Sequence, residues 1–237
     1  EYNGHSVVYV DMPWPLIQAI QEDIDWYKEH GVTGLYSQYR SDSLGSALNV
    51  YVAAHLLLHS QAEVNHLVQE FCQQKFGPAG EEMEAYFLFL EQAMQESGVH
   101  VPGRGFAFPH APEVFTPEVI SHSKALLQKA LEAAEGTQYE PAVEKYMTLM
   151  EYTQKCVSFL SLARQALGPG RLGVEEQECH PEVAEKAFQA GLGLYRELKE
   201  NSKYYTDVVP RPGTLNPYLG LVLRELRECG KKVGSRQ

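Results

Sequence analysis

Asp11 and Asp42 are carboxylates that this sequence sets just beyond strand-like runs, where a pair of carboxylates can serve as general acid and base. Asp11 follows Ser6-Val7-Val8-Tyr9-Val10 and opens the turn Asp11-Met12-Pro13-Trp14-Pro15, while Asp42 lies in the loop after Val32 to Ser37. Each also has a plainer role. Asp11 can satisfy backbone N–H groups of its own turn, and Asp42, shortly before a helix, can cap it. Trp14, Tyr36, Tyr39, Phe106 and Phe108 fall on strand-end or loop positions, where a ring can stack on a ligand or anchor the loop. His55 and His59 are four apart, as two zinc ligands on one helix face would be. Yet Ser60-Gln61-Ala62-Glu63 reads as a capping box that opens the next helix, which ends theirs near His59, so no metal site is expected. The loop from Gly103 to His110 is glycine-rich, but it has no Gly-Lys-Ser/Thr and no strand before it. It is not a phosphate loop, and no cofactor is suggested.

The elements that would position these residues change character along the chain. Residues 6–10 and 32–37 read as strands, and the apolar spacing of Leu16, Ile17, Ile20, Ile24 and Tyr27 predicts a helix between them, stopped at His30-Gly31. Strand, helix, strand is a βαβ unit, and such a unit implies a parallel sheet. From residue 46 onward the pattern is helical: 47–58, a helix to about Lys75, 80–96, a helix from Thr116-Pro117 to about Ala134, 140–167, His180-Pro181 to about Asn201, and 216–229. The fold class expected is therefore mainly α, a multi-helix bundle (46–237) preceded by a short βαβ unit (1–45). Two parallel strands do not make a stable sheet alone. The unit either docks on the bundle or is the tail of a larger barrel.

Composition narrows the function classes. A net charge of −11 repels phosphate backbones and argues against nucleic-acid binding. The longest apolar runs, such as Val52 to Leu58, are too short to span a bilayer, so no membrane role is expected. The start at Glu1-Tyr2-Asn3, with neither an initiator Met nor a basic-then-apolar leader, is what a processed or trimmed product would show. Cys72, Cys156, Cys179 and Cys229 form no CxxC pair and read as buried or half-buried free thiols, which leaves the compartment open.

Pro13-Trp14-Pro15, the stretch Ile24-Asp25-Trp26-Tyr27-Lys28-Glu29-His30-Gly31-Val32-Thr33-Gly34-Leu35-Tyr36, the helix Leu48 to Leu58, and Glu70-Phe71-Cys72 through Phe76-Gly77-Pro78-Ala79-Gly80 to Met83 and Tyr86 carry a resemblance. Together they resemble a family of unknown function found in α-glucuronidase-like glycoside hydrolases of bacteria, over roughly residues 5–135. The chain departs from that pattern at Ser37-Gln38, where many members have an acidic residue beside the Gln, and at His55 and Leu58, which replace a lysine and a tryptophan. The resemblance implies that residues 6–10 and 33–38 are the last two strands of a TIM-type barrel and that the helices are the bundle following it. It implies a glycoside hydrolase-like protein acting on a carbohydrate, such as a uronic-acid or amino-sugar glycan. Its carboxylates would lie mostly on strands outside this chain, with Asp11 the candidate within it. Trp14, Gln38, Tyr39 and Arg40 would then form one wall of the cleft, and the chain alone would be inactive. The alternative is a non-catalytic helical binding or scaffold module. Under either reading, open strand edges would favour self-association.

Overall fold

A computed structural model describes residues 11–36, 44–59, 61–99, 110–168, 179–209 and 217–231. Among these residues the secondary structure is helical: α1 (Ile17–Glu29), α2 (Ala47–Leu58), α3 (Val64–Phe76), α4 (Gly80–Ser97), α5 (Ala111–Val114), α6 (Pro117–Ala134), α7 (Glu140–Leu167), α8 (Pro181–Glu200), α9 (Ser202–Tyr205) and α10 (Pro217–Lys231). The longer helices follow the sequence pattern closely. In α1, Ile17, Ile20 and Ile24 are the buried residues, the i, i+3, i+7 stripe of an amphipathic helix. Thr116 caps α6 by accepting a bond from the Val119 N–H at 3.3 Å, with Pro117 in the first turn. The capping box read at Ser60 does not start α3. That helix begins at Val64 with Glu63 at its N-cap and no side-chain cap bond, and Ser60 itself lies outside the described residues.

The βαβ unit is absent. The helix of the expected unit is present as α1, but Val32 to Tyr36 form no strand, and the described residues contain none. The physical reason is exposure. A parallel strand survives when both of its faces are covered and its backbone is paired, whereas Val32 and Tyr36 are 44% and 71% exposed. The expected first strand, 6–10, lies outside the described residues. The reading of this segment as the end of a TIM-type barrel falls with the strands.

Residues 11–29 instead join the helical core. Met12, Trp14, Ile17, Ile20 and Ile24 belong to the same buried cluster as residues from every later described helix, down to Leu226 and Cys229. Successive helices are spatial neighbours: α1 packs on α2, α2 on α3, α3 on α4, α4 on α6, α6 on α7, α7 on α8, and α8 on α10. The 28-residue α7 is the axis, touching α3, α5 and α10 as well as α6 and α8. Burial on several sides explains its sequence, in which Val143, Tyr146, Leu149, Met150, Tyr152, Cys156, Phe159, Leu160, Ala163 and Leu167 are all buried. Near its N-terminal end, Tyr146 meets Phe76 and Phe87 edge to face, with ring centroids 5.4 and 5.3 Å apart. At the other end, Gly191 of α8 lets that helix approach closely. A Cβ there would stand 2.5 Å from the Phe159 ring and 2.6 Å from Leu223 of α10.

Two of the four cysteines are bonded, contrary to the expectation of free thiols. Cys179, just before α8, is joined to Cys229 in α10, with Cα atoms 5.8 Å apart. The pair is 50 residues apart along the chain, so only the packing of α8 on α10 brings it together. Cys72 and Cys156 remain free and buried.

Candidate functional site

Asp11, Trp14 and Tyr36 are the sequence-predicted site residues within the described structure, Tyr36 being exposed; Gln38, Tyr39, Arg40, Asp42, Phe106 and Phe108 lie outside it. Asp11 adopts φ +61°, a left-handed conformation that aspartate tolerates better than most residues. Its carbonyl, with that of Met12, packs against Gly45, where a Cβ would come within 3.0 and 2.7 Å of the two oxygens. The residue is 3% exposed, and its carboxylate acts on the Tyr152 hydroxyl and the Cys156 thiol of α7. Burial pushes the Cys156 thiol up to about 12, and the negative charge of Asp11 adds to that shift. Tyr152 is likewise driven well above the usual tyrosine range, first by burial, then by its neighbours Cys156 and Asp11.

Trp14 is 6% exposed. Its indole meets Phe115 edge to face, with centroids 5.4 Å apart, so the ring faces a core partner. The segment is fastened at both ends of its polar backbone. The buried Asn49 of α2 donates to the Trp14 carbonyl at 2.8 Å and accepts from the Leu16 N–H at 2.9 Å. One turn on, the buried Glu91 of α4 accepts from the Gln18 N–H at 2.8 Å. A carboxylate at a helix N-terminus satisfies N–H groups that have no partner within the helix. The structure therefore uses Pro13 to Gln18 as a seam that ties α1 to α2 and α4.

A second locality was not foreseen from the sequence. Between α6, α7 and α9 lies an open groove of about 620 Å³. Its apolar lining includes Leu131, Met147 and Val208, and its polar lining includes Glu144, Lys145, Thr148, Lys203, Tyr204 and Asp207. Tyr204 is 55% exposed, yet its hydroxyl is held, donating to Glu151 at 3.0 Å and accepting from Thr148 at 3.3 Å. Lys145 pairs with Asp207 at 3.2 Å. The neighbouring Tyr205 is buried, and its hydroxyl accepts from Lys155 at 3.0 Å, while Lys155 also bonds Glu197 of α8. Desolvation works to lower the Lys155 ammonium, but its bonds to Glu197 and Tyr205 outweigh that and hold it above its usual range. This cross-link between α7, α8 and α9 fixes the base on which Tyr204 stands. From sequence, the stretch between about Asn201 and the helix expected at 216–229 reads as a Pro-rich connection. Two adjacent tyrosines do not by themselves mark an ordered turn, and that Tyr205 is buried while Tyr204 is exposed depends on α7 and α8, so the sequence held no signal for this groove.

Residues 2–88 match the family model described as "Domain of unknown function (DUF4838)". The match takes in the seam at Pro13–Gln18 and the first three long helices, and it ends within α4. No curated protein and no solved structure matches the chain. No described helix is long and apolar enough to cross a membrane.

Proposed function

We propose that this chain is a helical part of a carbohydrate-active, glycoside hydrolase-like protein and that by itself it does not hydrolyse glycosides. The resemblance supports the carbohydrate-active part of this reading, and the observation that carries the absence of turnover is the burial of Asp11 and Trp14. Asp11 is 3% exposed beside Tyr152 and Cys156, and Trp14 packs on Phe115, so neither faces a cleft in which a glycosidic bond would lie. Hydrolysis needs two carboxylates flanking that bond. The tight placement of Pro13 to Gln18 by Asn49 and Glu91 supports a structural role for this stretch. The alternative, a non-catalytic binding module, is favoured by the groove around Tyr204 and is compatible with the same larger protein. The test is turnover of a panel of chromogenic α- and β-glycosides, uronides included, by the purified chain. The reading expects no release above the uncatalysed rate. Enzyme-like rates that vanish in an Asp11→Asn variant would overturn it.

A further inference from the structure

The groove between α6, α7 and α9 points to a binding site that nothing in the family description assigns, and we infer that it takes a neutral saccharide. The inference rests on the carbohydrate reading above and goes beyond it by naming the place and the ligand class. Three observations carry it. First, a volume of about 620 Å³ fits a small-molecule site, which usually spans about 300–1,000 Å³. Second, the groove holds a large aromatic ring that is both exposed and pre-oriented. Tyr204 is 55% exposed, but Thr148 and Glu151 hold its hydroxyl, and the buried Tyr205 stands edge-on 5.0 Å away. A ring fixed before binding spends little side-chain entropy when a ligand stacks on it. A pyranose has an apolar C–H face that suits such a ring and equatorial hydroxyls that need donors and acceptors around the edge.

Third, the rim supplies both kinds of group in balance. Glu144 and Asp207 accept, Lys145 and Lys203 donate, and the two carboxylates offset the two ammonium groups. A uronate or a phosphorylated ligand calls for a net positive rim, which this groove lacks. A long apolar ligand would leave the Lys145–Asp207 pair desolvated at a cost. The rim therefore selects an uncharged polyol with an apolar face.

The full chain should be titrated calorimetrically with cellohexaose, xylohexaose and mannohexaose, and with a tri-galacturonate as the charged comparison. Binding of at least one neutral hexaose is expected, with weaker or no binding of the uronate. Tyr204→Ala should weaken that binding by about tenfold or more, corresponding to about 1.4 kcal/mol, whereas Tyr204→Phe, which keeps the ring, should weaken it less. Far-UV circular dichroism and melting of each variant verify that the fold persists. If Tyr204→Ala fails to fold, Asp207→Ala and Lys203→Ala replace it, both being expected to weaken binding. No binding to any hexaose overturns the inference. Binding that every folded groove variant leaves intact also overturns it, while leaving the carbohydrate reading standing. Turnover of the chromogenic panel overturns the proposed inactivity of the chain whether or not a hexaose binds, so the two failures are distinguishable.

Discussion

At the scale of single residues, Glu91 shows how a buried charge is tolerated and what it costs. Burial raises its pKa above the ordinary value of 4.5, and the bonds from the Gln18 and Ile17 N–H groups pull the other way without cancelling the rise. Glu91 in the folded chain therefore holds its proton more tightly than in the unfolded chain. Between the unfolded and folded values the native state binds more protons, so its contribution to stability is full below the unfolded value and falls as pH rises through the folded one. Glu91→Gln keeps an acceptor for the α1 N–H groups and removes the titration. Melting followed upward from pH 4.5 should show the native chain losing stability relative to this variant, and the gap should level off once Glu91 is ionised in both states. A gap that stays constant across the range would mean that Glu91 is not buried as described.

The helices tell how far sequence pattern reaches. The Ile17, Ile20, Ile24 stripe and the Thr116-Pro117 start were legible because they depend on local spacing and capping, which act within one element. Gly191 and Gly193 were not, because their meaning depends on what stands opposite. A Cβ on Gly191 meets Phe159 and Leu223, whereas one on Gly193 meets nothing within 4 Å. Gly191→Ala should therefore destabilise the chain by about 1–3 kcal/mol through overpacking, less the gain of about 1 kcal/mol or below in helix propensity. Gly193→Ala keeps only that gain and should raise the melting temperature. Denaturant unfolding of the two variants checks the pair, and equal effects would contradict the described packing of α8 on α7 and α10. The same distinction explains the missing strand. Val32 to Tyr36 carry residues of high strand propensity, but propensity does not supply a partner, and the segment lies largely exposed. Asp11 and Trp14 were legible as notable residues of a sharp turn. That they face α7 and Phe115 rather than a cleft depends on Asn49 and Glu91, which sit 33 and 73 residues from their backbone partners.

Over the whole molecule, one buried cluster runs from Met12 to Cys229, and its C-terminal end is closed by a covalent link. Closing a 50-residue loop contributes about 4 kcal/mol by the chain-entropy estimate. Cys72 and Cys156 are buried, and burial first of all pushes each thiol up to about 12, so neither should react while the chain is folded. A thiol-reactive reagent should label none of the four cysteines in the native chain, two after denaturation without reductant, and four after reduction. Four labelled without reductant would show that Cys179 and Cys229 are not bonded. Reduction alone should lower the denaturation midpoint, because the unfolded chain regains the entropy of the opened 50-residue loop.

Met12 to Ile24, at the start of the family resemblance, belong to this single helical core. Trp26 is 54% exposed and Trp14 is buried, and the chain has no other tryptophan, so Trp26→Phe leaves Trp14 as the sole indole reporter. Its emission in that variant should be blue-shifted, resistant to acrylamide and unchanged by added hexaose. In increasing denaturant, the emission shift should coincide with the loss of helical circular dichroism, as one cooperative transition. A red-shifted, quenchable emission, or a Trp14 transition that precedes loss of the helices, would contradict the account and return this segment to an exposed role.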